Sequence, residues 1–225
     1  AESRTTYVVV DETGASVLVY ERSTPATPDE YDAFLRLLEE RLLPACARAV
    51  VAGSIPSGLP EGSHGAIVEA AHRAGVPLLV DASDSGLLAA LAARPDIVKI
   101  GRIEVVESGL ASADASAAEA AVALVDHGAQ LAVVTDGADE VAAATARTIW
   151  RLGVPRIEAL NPVGSGDSFN AALSLALMDG ADVTAALVKG VAAGSANALT
   201  KSAGSLDPMV ASALEDEVTV STEER

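Results

Sequence analysis

Hydrophobic and polar residues follow two different periods along the chain, and the period changes at regular intervals. Residues 5–11 and 16–21 alternate as β-strands do, and the segment Glu12-Thr13-Gly14-Ala15 between them has the composition of a turn, which predicts a hairpin. After a break at residues 24–28, apolar runs of strand length alternate with segments of helical period. The predicted strands are 49–52, 76–80, 96–100, 131–135, 141–146, 148–150 and 218–220, and the predicted helices are 27–43, 65–73, 87–92, 113–126, 168–178, 183–200 and 208–214.

Short apolar strands that alternate with helices are typical of parallel pairing with helices on both faces of the sheet. We therefore predict an α/β fold with a doubly wound, mainly parallel sheet, helices on both faces and a small β hairpin that projects as a lid. Strand 49–52 contains only apolar residues, so we predict that it is buried. Cys46 follows the apolar run at residues 34–43, which predicts a buried, unreactive thiol.

Composition and charge remove several classes of function. The chain has 225 residues, of which 50% are hydrophobic and 21% charged, so it can bury a core as one large domain or two small ones. Its net charge of -17 repels nucleic-acid backbones and anionic lipids. No apolar run reaches the ~18 residues of a membrane span. We expect a cytoplasmic protein that binds neither nucleic acid nor membranes.

The run Asn161-Pro162-Val163-Gly164-Ser165-Gly166-Asp167 precedes an alanine-rich helix and carries the candidate chemistry. Two glycines within three residues leave the N–H groups of the first helical turn open, an arrangement that binds phosphate. Asp167 could also simply cap the helix, which is the commoner role for a lone Gly-x-Gly-Asp run. The run is not the Gly-x-Gly-x-x-Gly fingerprint of dinucleotide-binding dehydrogenases, because Phe169 occupies the position of the third glycine.

This run resembles the Asn/Asp-Thr/Pro-x-Gly-Ala/Ser-Gly-Asp signature of the ribokinase-type carbohydrate kinases, specifically of their phosphofructokinase-B branch. Four further segments are similar to motifs of that family, in the family's order. They are Ala52-Gly53-Ser54-Ile55-Pro56-Ser57-Gly58-Leu59-Pro60, Asp81-Ala82-Ser83, Val133-Val134-Thr135-Asp136-Gly137-Ala138-Asp139, and Gly194-Ser195-Ala196-Asn197-Ala198-Leu199 with Gly204. The last segment looks most like the 1-phosphofructokinases and tagatose-6-phosphate kinases. The resemblance implies a ribokinase-like fold, with residues 1–24 in a lid and 25–225 in a nucleotide- and sugar-binding domain.

The resemblance also implies an activity, namely transfer of the ATP γ-phosphoryl group to a hydroxyl of a ketohexose phosphate, with Mg²⁺ as cofactor. Fructose 1-phosphate, fructose 6-phosphate and tagatose 6-phosphate are the acceptors it suggests. Asp167 would take the proton from the sugar hydroxyl, and Gly164, Ser165 and Gly166 would form an anion hole for the phosphoryl group. The residues assigned to ligands are Lys99, Thr135, Gly137, Gly166, Gly194 and Asn197 for ATP, Arg4, Gly53 and Ser54 for the sugar phosphate, and Glu104 for Mg²⁺. Arg4 is explained equally well as a solvated terminal residue.

The sequence departs from the family pattern in three places. Gly101 stands where the family has Asn in its Lys-Pro-Asn-x-x-Glu segment, and Asp84 replaces a frequent glycine. Family members also begin with strand–helix units that have no counterpart here, so we expect an N-terminally incomplete domain. These departures leave a second hypothesis, a non-catalytic nucleotide-binding remnant of such a kinase, although the retention of Asp167 favours an enzyme.

The open edges of the hairpin favour a homodimer through the lid or an association-prone monomer.

Overall fold

A computed structural model describes residues 5–10, 16–22 and 24–225. The strands are β1 Thr6–Val10, β2 Ser16–Tyr20, β3 Ala49–Ala52, β4 Leu78–Asp81, β5 Ile97–Gly101, β6 Leu131–Asp136, β7 Glu140–Ala144, β8 Thr148–Gly153 and β9 Thr219–Glu224. The α-helices are α1 Pro28–Leu37, α2 Ser63–Ala74, α3 Asp84–Ala92, α4 Arg102–Glu107, α5 Ala117–Asp126, α6 Ser165–Met178, α7 Val183–Ala198 and α8 Pro208–Glu215. None of the helices in these described ranges is long and apolar enough to cross a membrane.

Strands β3 to β9 form one seven-stranded sheet in which the order of the strands follows their order along the chain. Strands β3, β4, β5 and β6 pair in parallel, whereas the pairs β6–β7, β7–β8 and β8–β9 are antiparallel. Strands β1 and β2 pair antiparallel in a separate two-stranded sheet, which confirms the predicted hairpin. The predicted turn at residues 12–15 lies outside the described residues.

Helices cover both faces of the large sheet, which confirms the predicted α/β fold. Ala132 and Val134 of β6 pack with α3 and α5 on one face. Leu131 and Val133 point to the other face and pack with α6 and α7. All four side chains are buried, as expected for the apolar first four residues of a central strand.

Helix α5 begins four residues later than predicted because a capping box fixes its first turn. The Glu119 N–H donates to Ser116 Oγ at 3.3 Å, and the Ser116 N–H donates to Glu119 Oε2 at 2.8 Å. Residues upstream of Ser116 therefore lie outside the helix, although their alanines suggested otherwise. The six-residue α4 was not predicted, since it is too short to show a helical period.

The predicted helix 27–43 is confirmed in extent, but its second half is not an α-helix. The α-helix ends at Leu37 and continues as a π-helical turn over Leu38–Leu42 and a 3₁₀ turn over Leu43–Ala45. The change of pitch rotates the apolar residues out of one stripe. Leu43 is therefore buried, whereas Leu37 and Leu42 are each 44% exposed.

Two burial predictions are also wrong. Strand β3 pairs only with β4 among the described strands and forms an edge of the sheet, where Val50 is 44% exposed. Its apolar composition resembles that of a central strand, but its position leaves one side open. Cys46 is exposed, because the chain becomes extended there after the 3₁₀ turn and leaves the apolar face.

Strand β9 is twice as long as predicted because polar residues form most of it. Its register with β8 runs from the Gly153–Thr219 pair to the Thr148–Glu224 pair, and every residue of β9 is exposed. Charged residues on an edge strand prevent further pairing with other chains, so a polar sequence is compatible with a strand at this position. A search for apolar alternation could not find it.

We predict that Arg94→Gly stabilises the protein. Arg94 is an exposed residue that follows α3 with φ 58°, in the left-handed region where a side chain is unfavourable. Glycine relieves that strain, and we expect an increase of about 1 kcal/mol in the free energy of unfolding, or roughly 2–4 °C in Tm. Thermal unfolding measures this, with Arg94→Ala as control. If Arg94→Ala raised the free energy of unfolding as much as Arg94→Gly, the left-handed backbone conformation would not be the cause of the gain.

Candidate active site

The turn Gly164–Asp167, which we call the cradle, begins helix α6 and forms an anion-binding geometry. Gly164 has φ 86°, and a Cβ atom on it would collide with the backbone nitrogen of Gly204, so the turn requires glycine. Helix α6 starts at Ser165, three residues earlier than predicted. The N–H groups of Gly166 and Asp167 therefore lie in the first helical turn, where no helical carbonyl can accept from them and the helix dipole favours an anion.

Two asparagines hold the cradle from behind. Asn161 Oδ1 accepts from the Val163 N–H at 3.0 Å, and its Nδ2 donates to the Lys201 carbonyl at 3.0 Å. Asn197 Nδ2 donates to the Val163 carbonyl at 2.9 Å and to Ser165 Oγ at 3.1 Å. Asn197 is fully buried. The structure thus puts it beneath the cradle, a different place from the ligand-lining position that the resemblance implied.

A buried ion pair lies directly under the cradle. Lys99 of β5 is 7% exposed, and its Nζ donates to Asp81 Oδ2 at 3.1 Å. The same carboxylate oxygen accepts from Asn170 Nδ2 of α6 at 2.7 Å. A Cβ atom on Gly166 would lie 2.8 Å from Lys99 Nζ, so the absence of a side chain there allows the ammonium group to approach the backbone.

A large cavity of about 510 Å³ opens on one side of the cradle. It is lined by five of the six residues assigned to ATP and by two residues of the cradle. These lining residues are Lys99, Thr135, Gly137, Gly194, Ser165 and Gly166. Arg156, which no motif indicated, adds an exposed cation to the wall. The structure therefore brings residues from five separate segments of the sequence to one surface, next to the cradle.

Bracing contacts also fix the turn that contributes Thr135 and Gly137 to the large cavity. Arg102 Nε donates to Asp136 Oδ2 at 2.7 Å, and Arg102 Nη1 donates to the Ala115 carbonyl at 3.4 Å. The ion pair thus joins the start of α4 to the end of β6. Gly137 has φ 58°, which lets the chain turn back toward β7.

A small cavity of about 250 Å³ opens on the other side of the cradle. Gly53 and Ser54, which follow β3, line it together with Asp167, Glu104 and Asp81. Gly166 thus borders the large cavity and Asp167 the small one, so the cradle lies between the two, and Asp167 also borders a further cavity of about 900 Å³ beside α6 and α8. Arg4, the third residue assigned to the sugar phosphate, lies outside the described residues.

The carboxylates of the small cavity fit a magnesium site in which the phosphates of a bound substrate provide the remaining ligands. The Gly101 N–H donates to Glu104 Oε2 at 3.0 Å, so this carboxylate is oriented by the start of α4. No group of three acidic, histidine or cysteine side chains in the described part of the chain could hold a metal ion alone. Mg²⁺ commonly binds one or two carboxylates together with the phosphates of a substrate. Asp81 and Glu104 could supply the carboxylates here.

Sequence reasoning missed the contributions of Asp81 and Asn170. Asp81 had a signal, because it ends a buried strand, and the carboxyl ends of parallel strands carry the sites of α/β folds. Asn170 had none, since its partner lies 89 residues away in the sequence. Only the packing of α6 against the sheet brings the two side chains together.

The comparisons with known proteins show the family and the fold. The sequence pattern of the pfkB family carbohydrate kinases matches residues 1–209. Phosphofructokinase-2 from Escherichia coli superposes with a TM-score of 0.81 at 26% identity, over 94% of this chain and 70% of that one. Two proteins of lower identity share the fold. A possible 1-phosphofructokinase from Thermotoga maritima has a TM-score of 0.80 at 19% identity, over 99% of this chain and 72% of that one. A carbohydrate kinase from Agrobacterium tumefaciens has a TM-score of 0.72 at 21% identity, with the same coverage of 99% and 72%.

We predict that Lys99→Met destabilises the protein, because it leaves the Asp81 carboxylate with one fewer partner in a buried position. The expected loss is about 3 kcal/mol, the lower part of the range for breaking a buried ion pair, since the Asp81 side chain keeps some contact with water. Denaturant unfolding measures the loss. The double variant Asp81→Asn/Lys99→Met should lose less than the sum of the two single variants, and strict additivity would show that the pair does not interact.

Proposed function

The chain belongs to the pfkB family of carbohydrate kinases, and we propose that it transfers the γ-phosphoryl group of ATP to a hydroxyl of a ketohexose phosphate. Fructose 6-phosphate, fructose 1-phosphate and tagatose 6-phosphate are the acceptors to test first. The observation that carries the proposal is the position of the cradle between two cavities. One cavity has the size and the residues expected for ATP, and the other contains the carboxylate of Asp167.

In this proposal, ATP occupies the large cavity with its terminal phosphate at the cradle. The Gly166 and Asp167 N–H groups donate to the oxygens of the transferring phosphoryl group, where negative charge must be stabilised. Mg²⁺ held by the Glu104 and Asp81 carboxylates would neutralise charge on the phosphates. Phosphoryl transfer requires mainly positioning and charge stabilisation, so a backbone site with one base is chemically sufficient.

The acceptor sugar phosphate occupies the small cavity, with one hydroxyl facing Asp167. The carboxylate accepts the hydroxyl proton as the oxygen attacks phosphorus, and ADP leaves with the electrons of the broken bond. Gly53 and Ser54 line the same cavity and contact the sugar in this proposal. The products are ADP, the doubly phosphorylated sugar and the proton held by Asp167.

We predict that Asp167→Asn lowers the turnover of sugar phosphorylation by ~10²–10⁴, the usual loss when a positioned base is removed. The amide is nearly isosteric with the carboxylate, and α6 has no side-chain capping hydrogen bond that the change could remove, so Tm and the affinity for Mg–ATP should remain. A coupled assay of ADP release with each sugar phosphate measures turnover, and calorimetry measures ATP binding. Asp179→Asn, at the other end of α6, is the matched control and should behave like the parent.

This variant also separates the two roles that Asp167 can have. If Asp167 were only a helix cap, the amide would preserve turnover as well as stability, and the catalytic assignment would be refuted. A chain that binds Mg–ATP but transfers no phosphoryl group to any of the three sugar phosphates would instead support the nucleotide-binding remnant.

We further propose that the hairpin is a lid through which two copies of the chain associate. Tyr7 lies opposite Val19 and Val9 opposite Val17, so these four side chains share one face of the two-stranded sheet. Their exposed fractions range from 53% to 63%. A two-stranded sheet with an exposed apolar face and two unpaired edges is typical of an association surface, which another pair of strands covers. The same face on a second copy has the required chemistry.

We predict that Val17→Lys shifts the chain to a monomer, because a desolvated ammonium group at the centre of the apolar face opposes association. Light scattering coupled to size exclusion measures the mass in solution. Thr6→Lys places the same charge on the other face of the hairpin and should leave the dimer intact. Since the chain has a net charge of -17, both variants reduce general repulsion, so a difference between them reports on the face itself. A parent protein that is monomeric at high concentration would refute the proposal.

A further inference from the structure

Asn170 is a buried side chain of α6 whose one polar contact is with the site. It is 2% exposed and does not itself line the small cavity. In the described part of the chain its side chain makes a single hydrogen bond, from Nδ2 to Asp81 Oδ2 at 2.7 Å. Its own oxygen, Oδ1, is buried and has no hydrogen-bond partner there. A buried unpaired acceptor is unfavourable, so the bond to Asp81 is the feature that explains an amide at this position.

Two donors converge on one oxygen of the Asp81 carboxylate. Lys99 Nζ, from β5, donates to Oδ2 at 3.1 Å, and Asn170 Nδ2 donates to the same atom. The ammonium group alone is a point charge, which would allow the carboxylate to turn, whereas a second donor from a different element fixes the rotation. The other oxygen, Oδ1, has no hydrogen-bond partner among the residues that the structure describes. Since Asp81 lines the small cavity, Oδ1 is the atom that a ligand there can use.

The Glu104 carboxylate is restricted in a similar way. Its Oε2 accepts from the Gly101 N–H at 3.0 Å, and a Cβ atom on Gly101 would lie 2.9 Å from that oxygen. Glycine at position 101 thus leaves the space into which the carboxylate folds. Within the described ranges Oε1 is the oxygen without a partner, so each of the two carboxylates offers one fully free oxygen to the small cavity.

We propose that Asn170 is a positioning residue, which holds the Asp81 carboxylate so that Oδ1 alone binds Mg²⁺. The inference rests on the proposed function, because it uses the assignment of Mg²⁺ to Asp81 and Glu104. Mg²⁺ binds one or two carboxylates and completes its octahedron with water and phosphate, whereas Ca²⁺ takes roughly six to eight oxygens, often both from one carboxylate. Two carboxylates that each present one oxygen therefore favour Mg²⁺ over Ca²⁺. Asn170 does not touch the metal and acts only through Asp81.

The test measures metal affinity without any turnover. Mn²⁺ replaces Mg²⁺ in the complex of the chain with ADP, and the relaxation rate of water protons reports its binding. Competition by Mg²⁺ and by Ca²⁺ gives the affinity for each ion, and we expect the parent to bind Mg²⁺ more tightly. Asn170→Leu has nearly the size of the parent side chain but no donor. It should lower the affinity for Mg²⁺ about tenfold and change the affinity for Ca²⁺ by less than about threefold.

Two further variants separate orientation of the carboxylate from general damage to α6. Ser174→Ala is the matched control, because Ser174 lies one turn further along α6, is also buried, and has a hydroxyl without a hydrogen-bond partner in the described part of the chain. It should leave both affinities at their parental values. Asn170→Ser retains a polar group that is too short to reach Asp81, so it should repeat the loss seen with leucine.

Three results would overturn the inference. They are parental affinities in both Asn170 variants, equal losses for Mg²⁺ and Ca²⁺, and the same loss in Ser174→Ala. Failure of the proposed activity is a separate outcome, since a parent that binds Mn²⁺ with ADP but phosphorylates no sugar still allows the comparison of the two ions. A parent that binds no Mn²⁺ with ADP would overturn the inference itself, because Asp81 and Glu104 would then hold no metal.

Discussion

The close packing of Lys99 against Gly166, where a Cβ atom would lie 2.8 Å from Nζ, is the constraint on which the site depends. The ammonium group is held under the cradle by Asp81, and Asn170 binds the same carboxylate oxygen. The three side chains come from β5, β4 and α6, so one polar cluster joins the carboxyl ends of two strands to the first turns of a helix. A buried charge without its partner is strongly unfavourable, which keeps these elements in one arrangement. Because both cavities share this cluster, their relative position is fixed by the same contacts.

The distribution of charge explains why the cradle is made of backbone. The chain has a net charge of -17, and three carboxylates border the small cavity. In the proposed reaction this surface must receive two anionic substrates. The N–H groups of the cradle and the dipole of α6 provide positive potential without a further cationic side chain, and they need no reorganisation when charge develops. Lys99 adds a full positive charge beneath the same point. Mg²⁺ would be required for Asp167 to tolerate a phosphate beside its carboxylate.

The sequence was sufficient to predict the elements that alternate clearly and the turn that carries the cradle. The start of α1 at Thr27 was predicted, but the start of α5, the pitch of the chain after α1 and the polar strand β9 were missed, because none of the three shows a hydrophobic period. The burial of β3 was predicted wrongly for a related reason, since composition does not distinguish a central strand from an edge strand. At the site, the motif residues Gly53, Asp81, Glu104 and Asp167 do meet, but Asn170 enters only through packing between distant segments. Such contacts are set by the tertiary fold rather than by local sequence.

The central claim is that the cradle receives the γ-phosphoryl group of ATP, and amide chemical shifts test it most directly. Titration of the ¹⁵N-labelled chain with Mg–ADP and with the Mg²⁺ complex of a non-hydrolysable ATP analogue separates the effect of the third phosphate. We predict that both nucleotides shift the amides of Thr135 and Gly137, and that only the ATP analogue produces large shifts at Gly166 and Asp167. Identical shifts at Gly166 and Asp167 with the two nucleotides, or no shifts there, would contradict the account.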